Sequence, residues 1–113
     1  MEKVTTYRNV VRRLFREFER LYNLQSTPGI ETFVVFDEVR DHYFLMRLGW
    51  SENRRVRQIV LYVRLKEGKL WIEEDWTEEG IATELLKAGV SKDEIVLAFQ
   101  PPEMRQLSEF AMA

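Results

Sequence analysis

Carboxylates are densest between residues 73 and 79, which read EEDWTEE. Carboxylate oxygens are the ligands that Mg²⁺ prefers, so metal chemistry would be sought here first. On a predicted strand, however, Glu73 and Asp75 point away from Glu74. Glu78 and Glu79 suit the first turn of a predicted helix, where the helix dipole favours anions. Because these side chains diverge, we expect no metal ligand among them, and a metal-dependent hydrolase using Glu73 and Asp75 stays a remote alternative.

Other residue types that support catalysis are few. His42 is the only histidine and the chain has no cysteine, so a Cys nucleophile, a thiolate zinc site and a His-rich metal site are excluded. Glu67-Gly68-Lys69 has the spacing of the E-x-K half of a nuclease motif, but a glycine turn between two strands explains all three residues. No Gly-rich phosphate loop and no nucleophile elbow is present. The sequence therefore predicts no catalytic residue and no cofactor.

Arginines form two groups that could hold phosphates or the carboxylates of a partner. One group recurs at every fourth residue of a predicted helix: Arg8, Arg12 and Arg16. The other lies at a predicted hairpin tip: Arg54, Arg55 and Arg57. Acidic residues interrupt the first group, and exposed hairpin tips are commonly charged for solubility. A solvated surface and a binding surface therefore both stay open for each group.

Charge is unevenly distributed along the chain, although the formal net charge is only -2. Residues 1–66 hold 13 Lys and Arg against 8 Asp and Glu, whereas residues 67–113 hold 4 against 11. This asymmetry is compatible with two solvated faces, or with attraction of a partner or of a second copy. Under the second interpretation Trp50, Asp75 and Glu78 join the arginines as candidate contact residues.

The elements that position these residues follow from hydrophobic periodicity. Apolar residues at helical spacing predict an amphipathic helix of about five turns over residues 4–22. Alternating apolar residues predict strands over residues 30–37, 42–50, 57–66 and 70–76. The short connections allow only antiparallel neighbours. Further helices are predicted over residues 78–88 and 91–99. The expected fold class is α+β: an N-terminal amphipathic helix, a four-stranded antiparallel meander and C-terminal helices, in one domain over residues 1–113.

Both faces of the predicted sheet are apolar, so neither face can be left exposed to water. The N-terminal helix covers one face, so the C-terminal segment or another chain must close the other. We therefore expect a homodimer. No apolar run approaches the roughly 20 residues of a membrane span, and no signal-peptide core is present. With the absence of cysteine, this predicts a cytoplasmic protein without membrane contact.

An ordered set of short motifs runs from Tyr7 to the C-terminus and closely resembles the XisI family, the fdxN element excision controlling factors of cyanobacteria. The motifs are Arg40-Asp41-His42-Tyr43, Gly49-Trp50, Arg55-Val56, Gly68-Lys69-Leu70-Trp71-Ile72, Asp75, Thr77-Glu78-Glu79-Gly80-Ile81-Ala82, Leu85, Ala88-Gly89-Val90, Asp93-Glu94-Ile95-Val96-Leu97 and Glu109-Phe110-Ala111. The chain departs from the family pattern at Tyr62, Ala98, Gln100 and Leu107-Ser108. The changes at Tyr62 and Gln100 argue against a family histidine cluster acting here.

The resemblance implies a small cytoplasmic, non-enzymatic factor that acts with a site-specific recombinase and a companion protein, XisH, in programmed excision of a DNA element during heterocyst development. XisH resembles an endonuclease-type fold, which would place any nuclease chemistry in the partner. No catalytic residue is carried over from the family. The alternative is direct DNA binding through the two arginine groups.

Overall fold

The computed structural model describes residues 3–25 and 27–113. Its elements are helix α1 (Lys3–Leu24), strands β1 (Ile30–Asp37), β2 (His42–Ser51), β3 (Arg54–Lys66) and β4 (Lys69–Asp75), helix α2 (Ile81–Lys87), a 3₁₀ turn (Lys92–Glu94), strand β5 (Ile95–Leu97) and helix α3 (Pro102–Arg105). This order confirms the predicted α+β class. The N-terminal helix and the four predicted strands all form within a few residues of their expected bounds.

The strands make one sheet in the order β1-β2-β3-β4-β5. The first four are antiparallel neighbours, as predicted, and β5 pairs with β4 in parallel. The helix predicted over residues 91–99 is wrong, because a 3₁₀ turn and β5 occupy that segment. Ile95 and Val96 are fully buried beside β4. The connection from Asp75 to Ile95 contains α2 and exceeds the roughly dozen residues that a parallel crossover needs.

Helix α1 covers one face of the sheet. Val11 and Phe15 are fully buried, and the Phe15 ring stands edge-on to Phe36 and Tyr43 with centroid distances of 6.1 and 6.5 Å. Further buried side chains on this side are Leu45, Leu61, Val63, Leu70, Ile72, Ile81 and Leu85. Each buried large apolar side chain stabilises the fold by about 1.5–3 kcal/mol before entropic costs. This layer is the core.

The start of α1 is bound to the 3₁₀ turn. The Tyr7 hydroxyl and the Lys3 ammonium both donate to the carboxylate of Glu94. Burial, followed by the hydrogen bond to Glu94, raises the pKa of Tyr7 to about 12. The hydrogen bonds from Lys3 and Tyr7 hold the pKa of Glu94 below its ordinary value. These contacts join residues that lie far apart in the sequence.

The later turns of α1 shield the outer edge of β1. Asn23 donates from Nδ2 to the carbonyl oxygen of Thr32 at 3.2 Å. The Glu19 carboxylate accepts the backbone N–H of Val34, also at 3.2 Å. These two backbone groups face outward from the sheet, where an unprotected edge would pair with another strand. Side chains of α1 therefore occupy the β1 edge.

The second face of the sheet carries a set of large apolar side chains on β1–β3, which we call the open face: Phe33, Val35, Phe44, Met46, Leu48 and Ile59. Val35 is 45 % exposed and the other five side chains are partly exposed. Within residues 3–25 and 27–113, no helix packs on them. The apolar pattern of the strands predicted that this face must be covered. Over β1–β3, no part of the described chain covers it.

Residues 98–113, which we call the tail, cover only the β4–β5 side of this second face. The Arg105 guanidinium lies 5.9 Å from the centroid of the Trp71 ring, and the Lys66 ammonium lies 4.8 Å from it. The backbone N–H of Ala111 donates to the carbonyl oxygen of Ile95 at 2.9 Å, so the tail also binds the outer edge of β5. Phe110 is partly buried against the core, so the end of the tail docks on the fold.

Candidate functional site

The first arginine of the α1 row clamps the turn between β1 and β2. Arg8 donates from Nε and Nη2 to the two carboxylate oxygens of Asp41, at 2.8 and 3.0 Å. The Tyr43 hydroxyl donates to the same carboxylate at 2.8 Å. Hydrogen bonding from Arg8 holds the pKa of Asp41 below its ordinary value, although partial burial opposes this shift. Burial and the bond to Asp41 raise the pKa of Tyr43. Arg8 therefore links the helix to the sheet.

Arg12 and Arg16 are also engaged within the chain. Arg12 donates to Glu38 at 2.7 Å. The Arg16 guanidinium lies 3.5 Å from the Glu19 carboxylate and 5.4 Å from the centroid of the Phe36 ring. Each arginine of this row, for which a solvated and a binding surface were both left open, thus has a carboxylate beside it. The row is electrically compensated.

The second arginine group lies on exposed backbone around the β2–β3 turn. Arg54, Arg55 and Arg57 form no ion pair with a carboxylate in the part of the chain that the structure describes. The Arg55 guanidinium lies 5.4 Å from the centroid of the Trp50 ring, and Trp50 is 55 % exposed. We call residues 50–57 the arginine hairpin. Its charge is available to an external anion.

The loop before α2 is fixed by Asp75. The Asp75 carboxylate accepts the backbone N–H of Thr77 at 2.9 Å and that of Ile81 at 2.7 Å. Because Asp75 takes these donors, α2 begins at Ile81, and the predicted start at residue 78 is wrong. Glu78 and Glu79 therefore lie exposed on a loop. Asp75, a candidate contact residue, positions this loop through its carboxylate.

A groove of about 520 Å³ separates the C-terminal half of α1 from this loop. Its apolar lining consists of Leu14, Phe18, Leu21 and Tyr22. Its acidic lining consists of Glu17, Glu78, Glu79 and Glu84. Glu17 pairs with Arg20 at 2.5 Å and Glu84 with Lys87 at 3.6 Å, whereas Glu78 and Glu79 pair with no Lys or Arg among residues 3–25 and 27–113. We call this feature the acidic groove.

The acidic groove and the arginine hairpin flank the same end of α1. Tyr22 lines both the groove and a neighbouring hollow of about 210 Å³, which Arg47 also lines. Arg47 in turn lines a further hollow, of about 460 Å³, that reaches Arg54. Burial raises the pKa of Tyr22, the charge of Arg47 lowers it, and the charges of Asp75 and Glu78 raise it. We call the groove and the hairpin together the end surface. Exposed apolar side chains along the chain segments that form it are Leu21, Leu24, Trp50 and Trp76.

The carboxylates at the end of β4 do not converge. Glu73 accepts from Arg64 at 3.3 Å, Glu74 accepts from the indole N–H of Trp76 at 2.7 Å, and Asp75 binds backbone. In the described part of the chain no three His, Asp or Glu side chains are grouped as metal ligands would be. The arrangement is that of separate local contacts.

His42 lies at one end of the second sheet face. Its Nδ1 atom is 2.8 Å from the hydroxyl of Tyr62, whose ring stacks on Phe44 with a centroid distance of 4.2 Å. Burial raises the pKa of Tyr62. This geometry is that of a hydrogen-bonded structural histidine beside the open face.

A family model, that of the XisI protein, matches residues 1–112. The chain belongs to the XisI family. Two solved structures show how far the XisI fold is shared. A XisI-like protein from Anabaena variabilis ATCC 29413 superimposes with a TM-score of 0.91 at 29% identity, covering 97% of this chain and 99% of that one. The fdxN element excision controlling factor XisI from the same organism has a TM-score of 0.85 at 37% identity, covering 99% and 100%. No curated protein matches this chain.

Sequence patterns identified only part of the end surface of this XisI-family chain. Trp50, Glu78 and the three hairpin arginines lie there, whereas Arg8, Arg12 and Arg16 belong to the contact between α1 and the sheet. The apolar wall of the acidic groove was missed, because Phe18, Leu21 and Tyr22 continue the helical period of the core.

Within the described residues, no helix is long and apolar enough to cross a membrane.

Proposed function

We propose that this XisI-family chain is a non-enzymatic, cytoplasmic accessory factor in programmed excision of a DNA element, and that it acts through protein–protein contacts with a XisH-like partner. The family assignment supports the process, since a XisI structure at 37% identity is that of an fdxN element excision controlling factor. The observation that carries the mode of action is the end surface. It combines an apolar groove with unpaired charges of both signs.

The composition of the end surface favours a protein as its partner. Protein interfaces bury apolar and aromatic anchors inside a polar rim, and Trp and Arg are enriched at their centres. The acidic groove offers an apolar wall at Phe18 and Leu21 next to the free carboxylates of Glu78 and Glu79. A basic amphipathic segment of the partner would place its apolar side chains on the wall and its Lys or Arg side chains on the carboxylates.

Charge reversal in the groove tests this proposal. We expect an affinity-tagged wild-type chain, co-expressed with a XisH-like protein, to retain that protein at low salt. The Glu78→Lys and Glu79→Lys double variant should retain at least about tenfold less, because like charges would then oppose the partner. Both residues are exposed on a loop, so the fold should be unaffected.

Glu103→Lys is the matched control, since Glu103 is also exposed but lies on α3, away from the groove. This variant should retain the partner like the wild type. Absence of a wild-type complex at low salt would remove the proposal. Equal retention by the double variant would move the contact to another surface.

Direct DNA binding is the second candidate, and the free charge of the arginine hairpin favours it. Because Arg8, Arg12 and Arg16 face carboxylates, the hairpin group is the one of the two predicted groups that is available to phosphates among the described residues. A gel-shift titration of duplex DNA should then show affinity that falls steeply with salt. Reversal of Arg54 and Arg57 to Glu should abolish it, whereas Lys87→Glu, on exposed α2 surface, should not. Affinity that is insensitive to the hairpin substitutions would exclude this mode.

A further inference from the structure

We propose that the open face of β1–β3 is covered by a second copy of the chain, in a two-fold symmetric dimer whose sheets pack face to face. The proposal concerns a different surface from the end surface. It is therefore independent of the contact with a XisH-like partner.

The open face is built to be buried. Strand alternation puts Phe33 and Val35 of β1 beside Met46 and Phe44 of β2, their direct partners in the ladder. Ile59 of β3 extends the same apolar surface, since it pairs with Met46. Antiparallel sheets of soluble proteins normally keep one face polar when that face meets water. A contiguous apolar face of this kind indicates an interface.

The edges of the sheet are not available for the same purpose. Asn23 and Glu19 of α1 bind outward-facing backbone groups of β1. The backbone N–H of Ala111 in the tail binds the outer edge of β5. A second copy can therefore not extend the sheet by strand addition without displacing these groups. The open face is therefore the part of the sheet at which a second copy can bind.

The charges around the open face favour a copy of the chain as the occupant. A two-fold axis brings the same patch of both subunits together, so a patch with net charge would oppose itself. The six side chains of the open face are uncharged. At its border Glu73 pairs with Arg64, and Asp37 pairs with Arg40. Glu31 and Arg57 both lie opposite Leu48 in the ladders, so the hairpin end of the face carries one charge of each sign.

The size of the face and the shape of the tail fit such a dimer. The eight-residue β1 and its two neighbours span roughly 25 by 15 Å, or roughly 400 Å² in projection. A standard interface needs about 800 Å² per partner. The tail beside the face supplies more apolar surface, since Leu107 is 77 % exposed and Met104 is 47 % exposed. A two-fold axis along the strands lays each tail on the open face of the other subunit.

A matched pair of valine substitutions tests the interface. By sedimentation velocity at micromolar concentration, we expect a wild-type dimer and a Val35→Glu monomer, with the dimer Kd raised at least about a hundredfold. Val39→Glu is the control, because Val39 lies in the β1–β2 turn, off the open face, and is 89 % exposed. This variant should stay dimeric. A monomeric wild type, or a dimeric Val35→Glu variant, would overturn the proposal.

A second measurement does not depend on the folding of a charged variant. The chain has no cysteine, so Met46→Cys accepts a single spin label. Facing sheets lie about 10 Å apart, and Met46 is on a central strand, so two labels in one dimer should lie within about 30 Å. A dimer with labels farther apart than this would use another surface. Retention of a XisH-like protein by Val35→Glu separates the two proposals, because the end surface is intact in that variant.

Discussion

Arg8 and Asp41 form a two-pronged ion pair that joins α1 to the turn between β1 and β2. The Asp41 side chain is only 14 % exposed, and it also accepts from the Tyr43 hydroxyl. Asp41 adopts a left-handed backbone conformation with φ 61, which Asn tolerates as well as Asp does. A change to Asn therefore alters the charge without straining the backbone.

We expect Asp41→Asn to lower the free energy of unfolding by about 1–3 kcal/mol, because charge-assisted hydrogen bonds to a partly buried carboxylate are replaced by weaker ones. Urea denaturation followed by circular dichroism would measure the change. Asp93→Asn, at an exposed position in the 3₁₀ turn, should change stability by less than about 0.5 kcal/mol. Equal effects of the two substitutions would contradict the assigned role of Asp41.

Acid should destabilise the fold through the same carboxylate and Glu94. The pKa values of both are held below their ordinary values of 3.8 and 4.5. A depressed pKa contributes stability that is present above the ordinary value and is lost as pH falls through the folded-state value. Denaturation midpoints should therefore fall progressively below about pH 5. The midpoint should fall less steeply with pH in a variant that combines Asp41→Asn with Glu94→Gln. An unchanged pH dependence of the midpoint would show that these two carboxylates do not cause the loss of stability.

Alkali should act through Tyr7. Its pKa is raised from 10.0 to about 12, so the stability that this shift represents is present below pH 10 and is lost as pH rises toward 12. Tyr7→Phe removes the hydroxyl bond to Glu94 and should cost about 1 kcal/mol at neutral pH. The difference in stability between Tyr7→Phe and wild type should shrink between pH 10 and pH 12. A constant difference across this range would show that the hydroxyl is not the titrating group.

Two glycines with positive φ should differ sharply when replaced by Ala. A Cβ at Gly49 would lie 1.9 Å from the carbonyl oxygen of Gly29, so the two backbone segments would have to separate. A Cβ at Gly89 would meet nothing within 4 Å, which leaves only the conformational cost of about 1 kcal/mol. Gly49→Ala should destabilise by several times more, about 3 kcal/mol or above, in the same urea assay. Similar losses of stability for Gly49→Ala and Gly89→Ala would contradict the close approach of Gly49 to the Gly29 carbonyl.

Periodicity predicted the parts of the fold that extend over many residues. The helical spacing of Val11 and Phe15 and the alternation along β1–β4 report burial directly, so α1 and the meander could be read from the sequence. Strand β5 could not, because Ile95-Val96-Leu97 is too short to show a period, and pairing with β4 decides its conformation. The start of α2 was misplaced because the Asp75 carboxylate reaches six residues forward to Ile81.

The candidate site was predictable only as a list of charged residues. Composition identified Trp50, Glu78 and the hairpin arginines as possible contacts, because exposed charges and aromatics can be named from the sequence. Their grouping depends on where α1 ends against the loop after β4, which is a tertiary relationship. Helical periodicity shows that Phe18 and Tyr22 avoid water, but it does not distinguish core from the wall of a groove.

The bonds from Lys3 and Tyr7 to Glu94 link the first helix to the segment just before β5, which is synthesised much later. Glu94 and the strand that follows it leave the ribosome long after α1, so the nascent sheet has an unsatisfied β4 margin throughout that interval. A chain truncated before Glu94 should therefore be sensitive to proteases and prone to aggregate. Completion of the fold therefore requires α1 to meet a segment from the last third of the described chain.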